Sequence, residues 1–135
     1  MGRGHTAGDF LQAPEWRILA EREGYLELDI PLPDHVRNPR GQLFGGFAPT
    51  YVDLIALHTI RAGHREAPGP RSWLATVNMR VDFLEPVVED RFIAESEVLH
   101  RRGRNVWVQT RFRDAEGRVL VSALTVLREG DPAAP

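Results

Sequence analysis

Two stretches of the sequence carry apolar residues at helical spacing. The first covers about residues 9–23 and ends at Gly24, and the second runs from residue 47 to about residue 62. Nearly every face of the second stretch is apolar, which is typical of a helix that the rest of the protein wraps. The apolar positions of the first stretch are Phe10, Leu11, Trp16, Ile18 and Leu19. The pattern therefore predicts a short amphipathic helix and a long buried one.

The rest of the chain alternates with a period of two and predicts β-strands. One such segment, 25–32, lies between the two helices, and four more follow the second helix with Gly-containing turns between them. These four segments are 73–88, 91–100, 106–112 and 119–127. The order predicts an α+β fold in which a four-strand antiparallel meander belongs to a sheet that curls around the long central helix.

The length of the chain and its even composition predict a single domain over residues 1–135. A chain of this size suits one compact unit, and it has no internal repeat or break in composition. We expect residues 1–23 to form an N-terminal helical extension and residues 129–135 a flexible tail. No apolar run approaches the ~20 residues of a membrane span, and the first ten residues are not of signal-peptide type. A cytoplasmic location without a membrane partner is therefore expected.

Composition excludes several kinds of chemistry. The chain has no Cys, which excludes disulfides, thiolate zinc sites and cysteine nucleophiles, and all 17 basic residues are Arg, which excludes a Schiff-base lysine. No Ser lies in a G-x-S-x-G elbow, and the five His show no convincing metal spacing. The formal charge of −2 argues against nucleic-acid binding. We expect no metal and no cofactor, and a carboxylate or an activated water as nucleophile.

Asp53 is the residue with the clearest chemical potential. It lies inside the all-apolar helix, where an unpaired carboxylate is costly or has a raised pKa, and such groups concentrate at working sites. The Gly45-Gly46 pair precedes this helix and offers backbone N–H groups where the helix dipole favours a developing negative charge. Asp53 is thus either a catalytic carboxylate near an oxyanion site or a side chain that faces a solvent gap or caps a loop.

The run from Asn38 to Asp53 resembles the signature of hotdog-fold acyl-CoA thioesterases, the phenylacetate-pathway type in particular. That signature is N-x-x-G-x-x-H-G-G-x6-D, and Asn38, Gly41, Gly45, Gly46 and Asp53 stand at its positions. The segments 75–87 and 95–127 are similar to the first and the closing strands of the family's sheet, so the likeness covers about residues 24–128. The resemblance implies a hotdog fold and hydrolysis of an acyl-CoA thioester.

The resemblance also implies roles for particular residues. Asp53 would be the general base or the nucleophile, and the N–H of Gly45 would stabilise the thioester oxyanion. Asn38 would orient water or the carboxylate, Thr76 would assist the water, and Gly46 would help bind the substrate.

One position departs from the signature. Phe44 stands where the family has His, and a Phe side chain cannot hydrogen-bond to the substrate. Phe44 is still expected to be a substrate-binding residue, and the change from His is expected to affect efficiency, substrate preference or activity. At a predicted hairpin turn, Arg101, Arg102 and Arg104 either bind the CoA phosphates or are solvated.

Three functions remain open on the sequence. The first is hydrolysis of a medium-chain or aryl acyl-CoA by a homodimer or homotetramer with the site at the subunit interface. The second is an acyl-CoA-binding module with no hydrolysis, which Phe44 motivates. The third is an enoyl hydratase or dehydratase that uses His35 with Asp53.

Overall fold

A computed structural model describes residues 6–64 and 72–132 of the chain. The helices are α1 (Thr6–Phe10) and α2 (Ala48–Ile60), with 3-10 turns at Ala13–Glu15, Asp34–Val36 and Gly45–Phe47. The strands are β1 (Arg17–Arg22), β2 (Tyr25–Pro31), β3 (Ser72–Phe83), β4 (Arg91–Arg102), β5 (Asn105–Arg113) and β6 (Val119–Pro132). No helix of the described ranges has the length and apolar content needed to cross a membrane.

The six strands form one antiparallel sheet in the order β1-β2-β4-β5-β6-β3. The predicted four-strand meander is wrong in one respect, because β3 pairs with β6 and lies at the far edge of the sheet from β1. Residues 84–90 join β3 to β4, and this connection exceeds the two to five residues of a hairpin loop. The connection therefore leaves β2 free to pair with β4 and allows β3 to pair with β6.

Helix α2 lies against the inner face of the sheet, and eight of its 13 residues are buried. Tyr51 is its largest buried side chain, stacking on Trp16 at 5.9 Å and meeting Phe92 edge-on at 5.5 Å. Burial raises the pKa of the Tyr51 phenol. Thr59, further along the helix, lies 2.8 Å from Ser96 of β4 through their hydroxyl oxygens. The prediction of a wrapped central helix is confirmed, and this packing fixes the position of Asp53.

The predicted helix over residues 9–23 is wrong beyond Phe10. Gln12 adopts a left-handed conformation with φ 60°, and Pro14 lacks the N–H that a continuing helix requires. The chain then extends as β1, which Gly24, at φ 70°, turns back onto β2. The helical spacing of apolar residues gave a wrong prediction because Ile18 and Leu19 are not core residues. They are 43% and 47% exposed on an edge strand.

The predicted tail is also wrong over residues 129–132. Strand β6 continues to Pro132 because Glu129 and Pro132 find partners in Leu74 and Ser72 of β3. Residues 1–5 of the predicted extension and residues 133–135 of the predicted tail lie outside the described residues.

Asp29 of β2 is a nearly buried carboxylate held by two arginines. Arg17 donates to it at 2.6 Å and Arg91 at 2.7 Å. Burial raises the pKa of Asp29, but the hydrogen bonds from Arg17 and Arg91 outweigh burial, so its pKa lies below the ordinary value. The pair of arginines therefore stabilises the folded chain through the charged form of Asp29.

Replacing Asp29 with asparagine is expected to lower the free energy of unfolding at neutral pH by about 1–3 kcal/mol, since charge-assisted hydrogen bonds are lost. The contribution of Asp29 is complete above about pH 4, near the pKa of an unfolded aspartate, and is lost as the pH falls through the lower folded pKa. Urea unfolding of wild type and D29N at neutral and acid pH measures the effect. The difference in the free energy of unfolding between wild type and D29N should become smaller at acid pH. A difference that stayed constant would contradict a stabilising role of the charged Asp29.

Candidate active site

The chain between the 3-10 turn Asp34–Val36 and Phe44 folds back on itself as a tight loop. Phe44 donates its N–H to the Val36 carbonyl at 2.8 Å, and Asn38 donates its own to the Gln42 carbonyl at 2.6 Å. At the tip, Gly41 has φ 76°, a conformation that favours glycine. This loop delivers the Gly45-Gly46 pair to the start of α2.

Asn38 organises this loop from within. Its Oδ1 accepts the backbone N–H of Arg40 at 2.9 Å and of Gln42 at 3.0 Å, and its Nδ2 lies 3.3 Å from the Gln42 side-chain oxygen. These hydrogen bonds stabilise the loop, which is a structural reason for an asparagine at position 38. The role of Asn38 in orienting water or carboxylate stays a prediction.

Gly45 and Gly46 open the 3-10 turn that leads into α2. Within the described ranges, neither N–H has a hydrogen-bond acceptor, as is usual for the first amides of a helix. No side chain caps this end. The two amides are therefore free donors at the positive end of the helix dipole, which is the arrangement that stabilises an oxyanion.

Phe44 covers the second of these glycines. A Cβ placed on Gly46 would come within 2.7 Å of Cε2 of the Phe44 ring, so only glycine accepts the ring in this position. The Phe44 side chain is 51% exposed and meets Phe47 edge-on at 5.5 Å. Phe47 in turn contacts Phe10 at 5.4 Å. The structure thus places an aromatic surface beside the two free amides, where the sequence predicts substrate contacts for Phe44 and Gly46.

Asp53 is half-buried on α2, and the hydroxyl of Thr76 donates to its Oδ1. The expectation of an unpaired carboxylate in an apolar interior is therefore wrong. The physical reason is that this face of α2 meets the exposed edge strand β3 rather than the centre of the core. One carboxylate oxygen is engaged by Thr76, which leaves Oδ2 as an acceptor for a further donor.

A β-bulge puts Thr76 in reach of Asp53. The register between β3 and β6 shifts between Thr76 and Asn78, so Val77 is an extra residue in an edge strand. Strict alternation would put Thr76 on the face opposite Met79, whereas Met79 packs on the core cluster and Thr76 bonds to α2. The alternation predicted across 73–88 is therefore interrupted at Val77, and the sequence carries no clear signal for it.

The carboxylate and the free amides of one chain are well separated. Gly45 precedes Asp53 by eight residues, which corresponds to roughly 12 Å of helical rise, less the few ångströms by which a helical side chain leans toward the N-terminus. A carbonyl hydrogen-bonded to the amide has its carbon only about 3–4 Å from that nitrogen. Within a single chain, the two groups are thus too far apart for Asp53 to attack directly a carbonyl that is held by the Gly45 amide.

A cavity of about 260 Å³ has Phe83 in its wall. The Phe83 ring also comes within 3.9 Å of a Cβ placed on Gly45, so the cavity lies near this end of α2. Its wall is mostly apolar and consists of Gln42, Leu43, Phe83, Leu84, Glu85, Pro86, Val87 and Val121. The sequence did not reveal this cavity, because its walls come from the loop before α2, the segment after β3 and strand β6.

The predicted phosphate-binding arginines lie at the turn between β4 and β5. Arg101 pairs with Glu129 at 3.4 Å, Arg102 is exposed, and the Arg104 carbonyl accepts the N–H of Glu129. Strand register places Arg101 three strands from Thr76, at roughly 14 Å for a strand spacing of about 4.8 Å. Their contact with phosphates stays a prediction.

His35 and an acidic cluster have other structural roles. The Nε2 atom of His35 lies 2.6 Å from the Phe10 carbonyl, which docks the end of α1. Within the described part of the chain, one group of three carboxylates, Glu89, Asp114 and Glu116, has oxygens within 4.8 Å of one another. Asp114 already accepts two backbone N–H groups in a tight turn, which accounts for its position without a metal ion.

The fold has known counterparts. A model of the thioesterase superfamily matches residues 40–121, more than half of the chain. The chain therefore belongs to the thioesterase superfamily, and the predicted hotdog fold is confirmed. Membership supports thioester hydrolysis as the general class of reaction.

Three solved structures illustrate the likeness in fold. A thioesterase family protein of Silicibacter pomeroyi is 21% identical, with 94% of this chain and 90% of that one covered and a TM-score of 0.76. A hypothetical thioesterase of Streptococcus pneumoniae with coenzyme A is 16% identical, with 90% of each chain covered and a TM-score of 0.75. A phenylacetic acid degradation-related protein of Ralstonia eutropha is 19% identical, with 94% and 92% covered and a TM-score of 0.75.

Proposed function

We propose that the protein hydrolyses an acyl-CoA thioester to the free acid and CoA, with a medium-chain or aryl acyl group. The observation that carries the proposal is the hydrogen bond from Thr76 of β3 to Asp53 of α2, together with free amides at the start of that helix. The mostly apolar cavity near Gly45 and the aromatic surface around Phe44 supply room for an acyl group. The Streptococcus thioesterase with coenzyme A supports CoA as the thiol portion.

In the proposed reaction, Asp53 accepts a proton from water through its Oδ2, while Thr76 keeps the other oxygen fixed. The water oxygen bonds to the acyl carbon, and the carbonyl oxygen becomes an oxyanion that the Gly45 amide stabilises. Collapse of this intermediate breaks the C–S bond, and the thiolate leaves and takes a proton to give CoA. In the alternative route, Asp53 attacks the acyl carbon itself, the C–S bond breaks and the thiolate leaves as CoA after taking a proton, and water then hydrolyses the resulting anhydride.

The site requires two copies of the chain in this proposal. Because Gly45 and Asp53 of one chain are too far apart for direct attack on the same carbonyl, we assign the amide to one subunit and the carboxylate to its partner. Strand β3 is the edge that a second copy would cover, since among the described strands it pairs with β6 alone and since it exposes large apolar side chains. The exposed set on β3 is Trp73, Val77 and Phe83. A homodimer, paired again in a tetramer, is the proposed assembly.

The test of the proposed function is release of free thiol from a panel of acyl-CoAs by the purified protein. The panel contains short-, medium- and long-chain acyl groups together with benzoyl and phenylacetyl groups. Release from medium-chain or aryl members supports the proposal. Tight binding without release would instead favour an acyl-CoA-binding module, and no binding at all would exclude both functions.

The proposed interface predicts a difference between the two edges of the sheet. V77K puts a charge on β3, where Val77 is 57% exposed, and is expected to shift the protein to a monomer with thiol release falling in proportion. L19K places the same charge on the opposite edge strand, β1, and is expected to leave dimer and activity intact. Light scattering during size-exclusion chromatography measures both. Dissociation by L19K with V77K still dimeric would place the interface elsewhere.

A further inference from the structure

Arg37 lies at the centre of the loop that carries Gly45, and its side chain is only 14% exposed. Nη1 donates to the carbonyls of Gly41 at 2.7 Å and Val88 at 3.0 Å. Nη2 donates to the carbonyl of Leu32 at 3.1 Å. More distant acceptors of Nη2 are the Glu89 carbonyl at 3.4 Å and the Asp90 carboxylate at 3.3 Å.

These acceptors belong to three separate segments of the chain. Leu32 follows β2, Gly41 is the tip of the loop, and residues 88–90 lead into β4. Gln42 and Leu43 of the loop and residues 84–87 also line the cavity, and the Leu43 N–H donates to the Val87 carbonyl at 2.9 Å. One guanidinium group therefore ties the loop to the segment that follows the rest of this lining.

The amide of Gly45 depends on this loop for its position. Phe44, the residue before it, is anchored by its N–H to the Val36 carbonyl, and no side chain caps the 3-10 turn that follows. A movement of the loop would therefore displace the Gly45 N–H. Because an oxyanion donor acts only when it is correctly placed in the transition state, small displacements matter for turnover.

We infer that Arg37 is a positioning residue that sets the Gly45 amide against the substrate carbonyl; this inference rests on the proposed function. An arginine is required because its planar fork reaches separate acceptors at once, whereas a lysine ammonium is a single point of donation. The effect of losing Arg37 should therefore fall on kcat, which reports the transition state, rather than on the binding of CoA.

R37K and R37Q are the test variants, with thiol release, affinity for free CoA and amide hydrogen exchange as readouts. We expect kcat per folded molecule to fall about ten- to a hundred-fold in R37K, with KM and CoA affinity within about twofold of wild type. Exchange should speed up over residues 38–47 and not in the strands. R37Q provides a second side chain without a guanidinium group, so that the inference stays testable when one variant folds poorly.

Two control variants, R91K and D90N, distinguish a role of Arg37 in positioning from a role in overall stability. R91K changes an arginine of β4 that binds Asp29 of β2. It should leave kcat unchanged even where it lowers the melting temperature. D90N removes one of the two exposed carboxylates that pair with Arg37, the other being Asp34, and should also retain kcat. An unchanged kcat in both Arg37 variants, or an equal fall in R91K, would overturn the inference alone. A wild type that releases no thiol would overturn the proposed function and the inference together.

Discussion

Replacing Asp53 with asparagine is expected to lower thiol release about 10²- to 10⁴-fold, the contribution of a positioned general base. Asparagine retains an oxygen that can accept the Thr76 hydroxyl, so the contact between α2 and β3 persists. It lacks the negative charge that takes a proton from water or attacks the acyl carbon. The loss should therefore appear in kcat, with the fold and the affinity for CoA retained.

The matched control for Asp53 is another carboxylate on the strand that faces it. Asp82 of β3 pairs with Arg80 at 3.2 Å and lies outside the proposed site, so D82N should release thiol at the wild-type rate. Thr76 gives an intermediate test, since T76S keeps the donor to Asp53 and T76V removes it. Circular dichroism and melting temperature establish that each variant is folded. Full activity of a folded D53N would exclude Asp53 as base and as nucleophile.

The elements that the sequence predicted well are those with strong local signals. Helix α2 is apolar on nearly all faces, and the hairpins of β4, β5 and β6 turn at Gly103 and Gly117, which both have positive φ. Strand β1 was missed because its apolar residues also fit a helical spacing. The left-handed Gln12 is not readable from the sequence, although Pro14 is a visible helix-breaking signal.

Long-range features lay beyond the sequence. The place of β3 beside β6 is decided by how the sheet closes around α2, and no local pattern encodes it. The bulge at Val77, which turns Thr76 toward Asp53, likewise depends on pairing with a strand some fifty residues away. Arg37 gave no signal because most of its acceptors are backbone carbonyls, which every residue type has. By contrast, the spacing from Asn38 to Asp53 located the loop and the helix start.

Proline at position 45 should remove the proposed oxyanion donor alone, and we expect G45P to lower kcat about 10²- to 10³-fold. Phe44 has φ −64° and ψ 129°, the extended conformation that suits a residue before proline. Gly45 is the first residue of a 3-10 turn, where φ is near that of proline and where a missing N–H breaks no intramolecular bond. G45A keeps the N–H, and its Cβ would lie 3.9 Å from Phe83, so it should retain most activity.

Mixing G45P with D53N tests whether the two groups of one site belong to different subunits. In a two-fold dimer, a mixed pair has one site with both an intact amide and an intact carboxylate, and another site with neither. Random pairing makes half of the dimers mixed, so co-refolded subunits should recover about a quarter of the wild-type rate although each variant alone is nearly inactive. A site confined to one chain would show no recovery at any ratio. Recovery would thus require a carbonyl held by one chain's helix start and attacked through the other chain's Asp53, which agrees with the roughly 12 Å of helix between Gly45 and Asp53 of a single chain.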